Sequence, residues 1–266
     1  MRPEPALHLS DAPLVVALAQ VRFSEVLKMD SYVPDIQQFM RAEGLTRFSV
    51  EESQQIVFGP TMKTKASSRW VFSNRSQTEV VLIAPDFFVF QVSEYEKFEA
   101  FSSRMLSLLA GFAKVVGLEY SEQVGLRYLD LIRAKDELSV NDMICPSLRG
   151  LSSSQLGVKR STHQFIVQAE TDHGILMLRS FENNDGQFIP PDLQTPHLKF
   201  KNELSEGEEF RVLDFDHIAR KDFDIMGSSL QELMWQLHEG INRAFRNSVT
   251  QEALNAWSGK NAKSST

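Results

Sequence analysis

A single cysteine, Cys145, stands among 266 residues. That excludes a disulfide framework within the chain and a zinc site built from several thiolates. Long apolar runs are missing as well. The run over residues 14–19 is short and strand-like in period, and nothing approaches the roughly 18 residues of a membrane helix. The start, Met1-Arg-Pro-Glu-Pro, carries an early acid and does not read as a signal peptide. Positive charge is in deficit: 28 Lys and Arg against 35 Asp and Glu leave a net −7. Broad binding to phosphate backbones needs the opposite sign, so nucleic acid is disfavoured except through a local basic groove. There is no Walker loop, no Gly-x-Gly-x-x-Gly, no Gly-x-Ser-x-Gly elbow and no His-Glu-x-x-His. These absences point to a cytoplasmic protein with no membrane span and no cofactor, more readily a binder than an enzyme.

What is present is a strand at the midpoint. In Val124-Gly-Leu-Arg-Tyr-Leu-Asp-Leu-Ile132, Leu126, Tyr128, Asp130 and Ile132 fall on one face; Gly125, Arg127, Leu129 and Leu131 fall on the other. Leucines on both faces predict a strand covered, at least in part, from both sides. Gly125 inside the run suggests a bulge or a close backbone approach. The segment has an earlier echo in Gln20-Val-Arg-Phe-Ser-Glu-Val-Leu27. Arg22 matches Arg127, Phe23 matches Tyr128 and Glu25 matches Asp130, at an offset of 105 residues. Self-similarity at that distance predicts a duplicated unit rather than a short repeat. The halves are residues 1–117 and 118–257, with a disordered tail over 258–266.

Around these strands the periodicity predicts a helix over residues 32–44, then strands over 48–50, 55–58, 69–73, 79–84 and 87–92. Residues 59–68, with Lys63 and Lys65, read as a mobile loop. Ser93 and Glu96 have the spacing of a capping box opening a helix whose stripe runs from Phe98 to Val116. The second half repeats the pattern: a short helix broken at Pro146, strands over 163–170, 174–181 and 209–218, and a final helix from Ser228. Residues 182–208 form a long insertion suited to partner contact. The predicted class is α+β: two related β-α-β-sheet-α halves in one curved, mostly antiparallel sheet, long helices on one face and an open polar face opposite. That order is similar to the TATA-binding-protein-like fold, an architectural analogy that does not imply DNA binding.

The candidate chemistry is sparse. Asp214 and Asp216 share a strand face and would suit Mg²⁺ in phosphate chemistry, with His217 pointing the other way. The competing reading pairs them with Arg22, Arg127 or Arg179. Arg22 and Arg127, at equivalent positions, would make a quasi-symmetric anion site, or two structural arginines, each paired with a carboxylate from the other half. Cys145 has no base placed beside it by spacing. His238 flanks the apolar stripe between Met234 and Ile241, where packing is the default.

The central strand also resembles the signature of a sporadically distributed prokaryotic family of uncharacterised proteins, which usually reads Gly-Leu-Arg-Tyr-Ile-Asn-Arg-Ile here. Further matches are Pro13-Leu-Val with Gln20-Val-Arg-Phe23, Leu213-Asp-Phe-Asp216, and Leu237-His238 with Phe245 and Thr250. The chain departs from the signature at Leu129, Asp130 and Leu131. The resemblance implies a fold family and an accessory role in a prokaryotic defence or toxin–antitoxin-type locus, without an activity. Three functions follow as expectations. The first is a binding or regulatory module, with another protein or a second copy docking on the open sheet face or on residues 182–208. The second is a metal-dependent phosphohydrolase or nuclease at Asp214 and Asp216. The third is nucleic-acid binding on the open sheet. The residues in play are Arg22, Arg127, Asp130, Asp214, Asp216 and His238.

Overall fold

The computed structural model describes residues 9–57, 63–159, 161–182, 186–201 and 203–259. The predicted tail lies outside them from residue 260 onward. The chain forms β1 (Leu14–Arg22), α1 (Met29–Ala42), β2 (Arg47–Val57), β3 (Lys63–Ser73), β4 (Glu79–Ala84), β5 (Phe87–Val92) and α2 (Phe98–Val116). It continues with β6 (Tyr120–Arg133), α3 (Val140–Met143), α4 (Ser153–Leu156), β7 (Gln164–Thr171), β8 (Gly174–Phe181), β9 (Phe210–Asp224), α5 (Ser228–Ser248) and α6 (Gln251–Trp257). The strands make one sheet in the order β2-β3-β4-β5-β1-β6-β9-β8-β7. Neighbours are antiparallel throughout, and the class is α+β as predicted.

The first strand of each run pairs with the last strand of the same run, β1 with β5 and β6 with β9. The β1–β6 ladder joins the runs at the centre. On one face Ala17, Ala19, Val21, Leu126 and Phe215 pack beneath α2 and α5, whose buried stripes include Phe112 and Leu237. Burying alternate residues of central strands against amphipathic helices is the main source of stability in such a layer.

The opposite face departs from expectation. It is not open: residues 186–200 lie across it as a strap. Ile189 and Leu193 pack with Leu129, Leu131 and Val212, while Leu198 packs with Val71, Val80, Leu82 and Val89. Gln91 Nε2 donates to Leu193 O at 3.2 Å, and Lys199 N donates to Gln77 O at 2.7 Å. The strap therefore starts beside the second run and ends on the first. Its apolar residues were hidden because they are widely spaced among Pro, Asp and Gln. The sheet surface assigned to nucleic acid or protein docking is covered where the strap crosses it.

Smaller corrections have local causes. β2 is one strand, not two, and residues 63–68 of the predicted loop belong to β3; its remainder, residues 59–62, lies outside the described part. A register break between Leu14 and Val16 turns Val15 toward the strap with Val16, rather than sharing a face with Ala17. Ser93 does not cap α2. Its N–H donates to Thr78 O, prolonging the sheet connection, and the helix starts after an extended Lys97.

At one helix–sheet contact, glycine is required. His217 points to the helix side, its Nδ1 bonded to Leu237 O at 3.0 Å and its Nε2 to Thr171 Oγ1 at 2.9 Å. A Cβ on Gly240 of α5 would stand 2.6 Å from that ring. Gly→Ala inside a helix ordinarily gains about 1 kcal/mol. Here the ring is pinned at both nitrogens, so Gly240→Ala is expected to destabilise by about 1–3 kcal/mol. A lower urea midpoint at unchanged slope checks this; a higher midpoint would mean the ring swings aside.

Candidate functional site

The predicted residues separate onto the two faces. On the strap side, Arg127 meets Asp214 through two parallel bonds, Nε to Oδ1 at 2.7 Å and Nη2 to Oδ2 at 2.8 Å. Its Nη1 reaches Asp192 of the strap. Arg179 Nη1 donates to the second Asp214 oxygen at 2.9 Å and stands 3.9 Å from Asp216. Burial pulls the Arg127 guanidinium down, but Asp214 and Asp192 outweigh it and hold its pKa above the ordinary value. Asp216 is pushed up by burial, against the pull of Arg127 and Arg179.

Asp214 and Asp216 thus share a face as predicted, but both oxygens of Asp214 are engaged by guanidinium groups. A metal ion would have to displace them. Among the described residues no three His, Cys, Asp or Glu gather into a candidate metal site. Arg22 does not converge with Arg127. In the β1–β6 ladder Arg22 lies opposite Gln123 and Arg127 opposite Leu18, and half-exposed Arg22 pairs with Asp86 instead. Both arginines are paired, but each within its own run, Arg22 with Asp86 and Arg127 with Asp214, and not with a carboxylate from the other half as expected.

Removing one partner of a buried ion pair strands the other. Asp214→Ala, which leaves Arg127 and Arg179 facing an apolar side chain, is expected to cost about 3–5 kcal/mol in urea unfolding. Asp192→Ala, at a mostly exposed carboxylate, should cost under about 1 kcal/mol. Equal losses would contradict the ranking.

On the helix side, Asp130 and His238 come together. They line a cavity of about 340 Å³ between the start of α2, the middle of α5, β6 and the segment before β1. Two register steps from Asp130, Tyr128 begins a chain of hydrogen bonds. Its hydroxyl lies 3.1 Å from Tyr95 Oη and 2.9 Å from His238 Nδ1, and His238 Nε2 lies 2.9 Å from Asn242 Nδ2. The imidazole stacks on Phe98 with centroids 4.1 Å apart. Burial pulls the His238 pKa down to about 4, so the ring is neutral at pH 7. Burial holds both tyrosines well above the ordinary phenol range.

Asp130 is different. It is 5 % exposed, and among the described residues no hydrogen bond reaches its carboxyl group. Burial, with Asp214 adding repulsion from the other face, pushes its pKa up to about 8. A buried carboxyl without donors keeps its proton because the charged form is poorly solvated.

Sequence reasoning had Asp130 and His238 but not their company. Asn242 was within reach, four residues past His238 on the same helix face. Tyr95 was obscured by the false capping box, which placed it inside a helix. Asp192 gave no signal, since its partner lies on a distant strand.

The folded chain holds the Asp130 proton to about pH 8, whereas an unfolded Asp releases it near pH 4. Between those values the native state binds more protons, so this group's effect is that stability falls as pH rises, by at most about 1.4 kcal/mol per unit. His238 acts oppositely, but only below its ordinary value near 6.5. Asp130→Asn is therefore expected to flatten the decline in unfolding free energy between pH 6.5 and 8; an unchanged slope would refute the assignment.

No family model, no curated protein and no solved structure matches this chain.

Proposed function

We propose that this protein is a non-catalytic binding and regulatory module, and that a small ligand occupies the chamber above Asp130. One observation carries the reading: a buried carboxyl with no hydrogen-bond partner among the described residues opens onto a cavity of about 340 Å³. The group lines that cavity, and perturbed groups facing a cavity concentrate at functional sites. Binding is favoured over catalysis because the nearest base is occupied. Both nitrogens of His238 are engaged, and the ring is held neutral. The phosphohydrolase or nuclease reading has less support, since the Asp214 carboxylate is already compensated by two arginines.

The scaffold for this module is a doubled β-α-β-sheet-α unit, residues 1–117 and 118–257. The repeat offset supports this. It equates Gln20 with Gly125, and these two residues face each other in the β1–β6 ladder. A local two-fold axis then passes between equivalent residues. Phe23 and Tyr128 also have comparable settings, since each points to the helix side and touches an element of its own run's long helix. On this reading the chain groups with the prokaryotic family bearing the Gly-Leu-Arg-Tyr signature and acts in the cytoplasm. It signals ligand occupancy to a protein partner, as an accessory component of a defence or toxin–antitoxin-type locus would.

Soaking crystals with a library of small organic fragments tests the site. Density is expected in the chamber between α2 and α5. A screen that fills other surface sites and leaves this one empty in every crystal would overturn the proposal.

A further inference from the structure

We infer that the chamber selects a monovalent cation with an apolar body, an organic amine in its ammonium form, whose charge meets the Asp130 carboxylate and whose hydrocarbon part lies among the rings. This rests on the chamber being a ligand site and names the chemistry it selects.

The charged groups around the cavity come from three of its walls. β6 contributes Asp130 at the floor. The start of α2 contributes Glu96, Lys97 and Glu99, all exposed at the rim, and α5 contributes Glu239. Leu9, Ala12 and Pro13 before β1, with Leu14 at its start, line the cavity, and among the described residues this segment adds no charge there. At the rim three acids stand against one lysine. An anion entering the cavity would face this field and the Asp130 carboxyl at the floor. A cation meets attraction at the rim and an acceptor at the end of its path.

The walls suit the rest of such a molecule. Tyr95, Phe98, Tyr128 and Trp235 line the cavity, and Trp235 is 45 % exposed on the solvent side. Aromatic faces attract cations, more strongly where water is excluded. The Tyr95–Tyr128–His238–Asn242 chain saturates the polar atoms of one wall internally. Asp130 is left as the carboxyl without a partner there. A cavity of about 340 Å³ holds a small amine and is too small for a folded segment of another chain.

The proton balance follows. Empty, Asp130 is largely protonated at pH 7. An ammonium beside it favours the ionised form, so the carboxyl releases its proton to solvent as the amine arrives. No bond to carbon forms or breaks. His238, held neutral by burial, takes no part in this step.

Isothermal titration calorimetry with three probes of one shape and different charge provides the test: benzylamine, benzyl alcohol and benzoate. Benzylamine is expected to bind at least tenfold more tightly than benzyl alcohol at pH 7, and benzoate not to bind. Benzylamine stays protonated between pH 6 and 8, and its affinity should rise over that range, by up to about tenfold per unit. Its heat at pH 7 should vary with the buffer's ionisation enthalpy, reporting proton release. Asp130→Asn should abolish both the charge preference and the pH dependence, while circular dichroism confirms that the variant is folded. Benzyl alcohol or benzoate binding as tightly as benzylamine would overturn the assignment of charge and leave the chamber a ligand site. Failure of all three probes to bind would remove the chamber reading along with it.

Discussion

From Val124 to Ile132 β6 is buried on both faces, and most of the molecule answers to that constraint. Helices α2 and α5 cover one side of it and the strap covers the other. Any polar side chain on such a strand must find partners inside the protein or carry the cost of going without. Arg127 and Asp130 sit three residues apart on this strand and face opposite layers, and they meet the constraint in opposite ways.

Arg127 is satisfied. Asp214 comes from the neighbouring strand in a bidentate arrangement that suits a planar guanidinium, and Asp192 comes from the strap. The strap is thereby tied to the sheet by charge at one point and by Leu193 and Leu198 around it. The arrangement reads as architecture: it holds the long insertion in one place over both runs of strands. Asp130 is not satisfied. Its neighbours Tyr128, Tyr95, His238 and Asn242 bond to one another and pass it by. A strand that spends charge on one face to fasten a cover and leaves a carboxyl open on the other separates stability from recognition.

Much of the frame was legible in residues. Alternation in 124–132 showed a strand covered on both sides, and the Phe98–Val116 stripe showed a buried helix face, because apolar period reports burial directly. The strands over 69–73 and 79–84 were legible too, and the polar turn between them joins them as a hairpin. Asn74 Oδ1 accepts there from the Thr78 N–H at 2.9 Å. What covers the second face was not legible. Ile189, Leu193 and Leu198 follow no helical or strand period, and their register on the sheet is set by backbone bonds to Gln77 and Gln91 far away in sequence. The capping box at Ser93 failed for a related reason. A local spacing pattern competed with a long-range bond from Ser93 to Thr78, and the bond won.

The sequence alone determined the class, the central strand and which of its side chains share a face. All of these follow from short-range periodicity. Only the tertiary structure decided that Asp214 is spoken for and Asp130 is not. That depends on which donors lie within about 3 Å of each carboxyl: Arg127 and Arg179 reach Asp214 from strands that chain order does not place side by side, while Tyr95 and Asn242, near Asp130, bond Tyr128 and His238 instead.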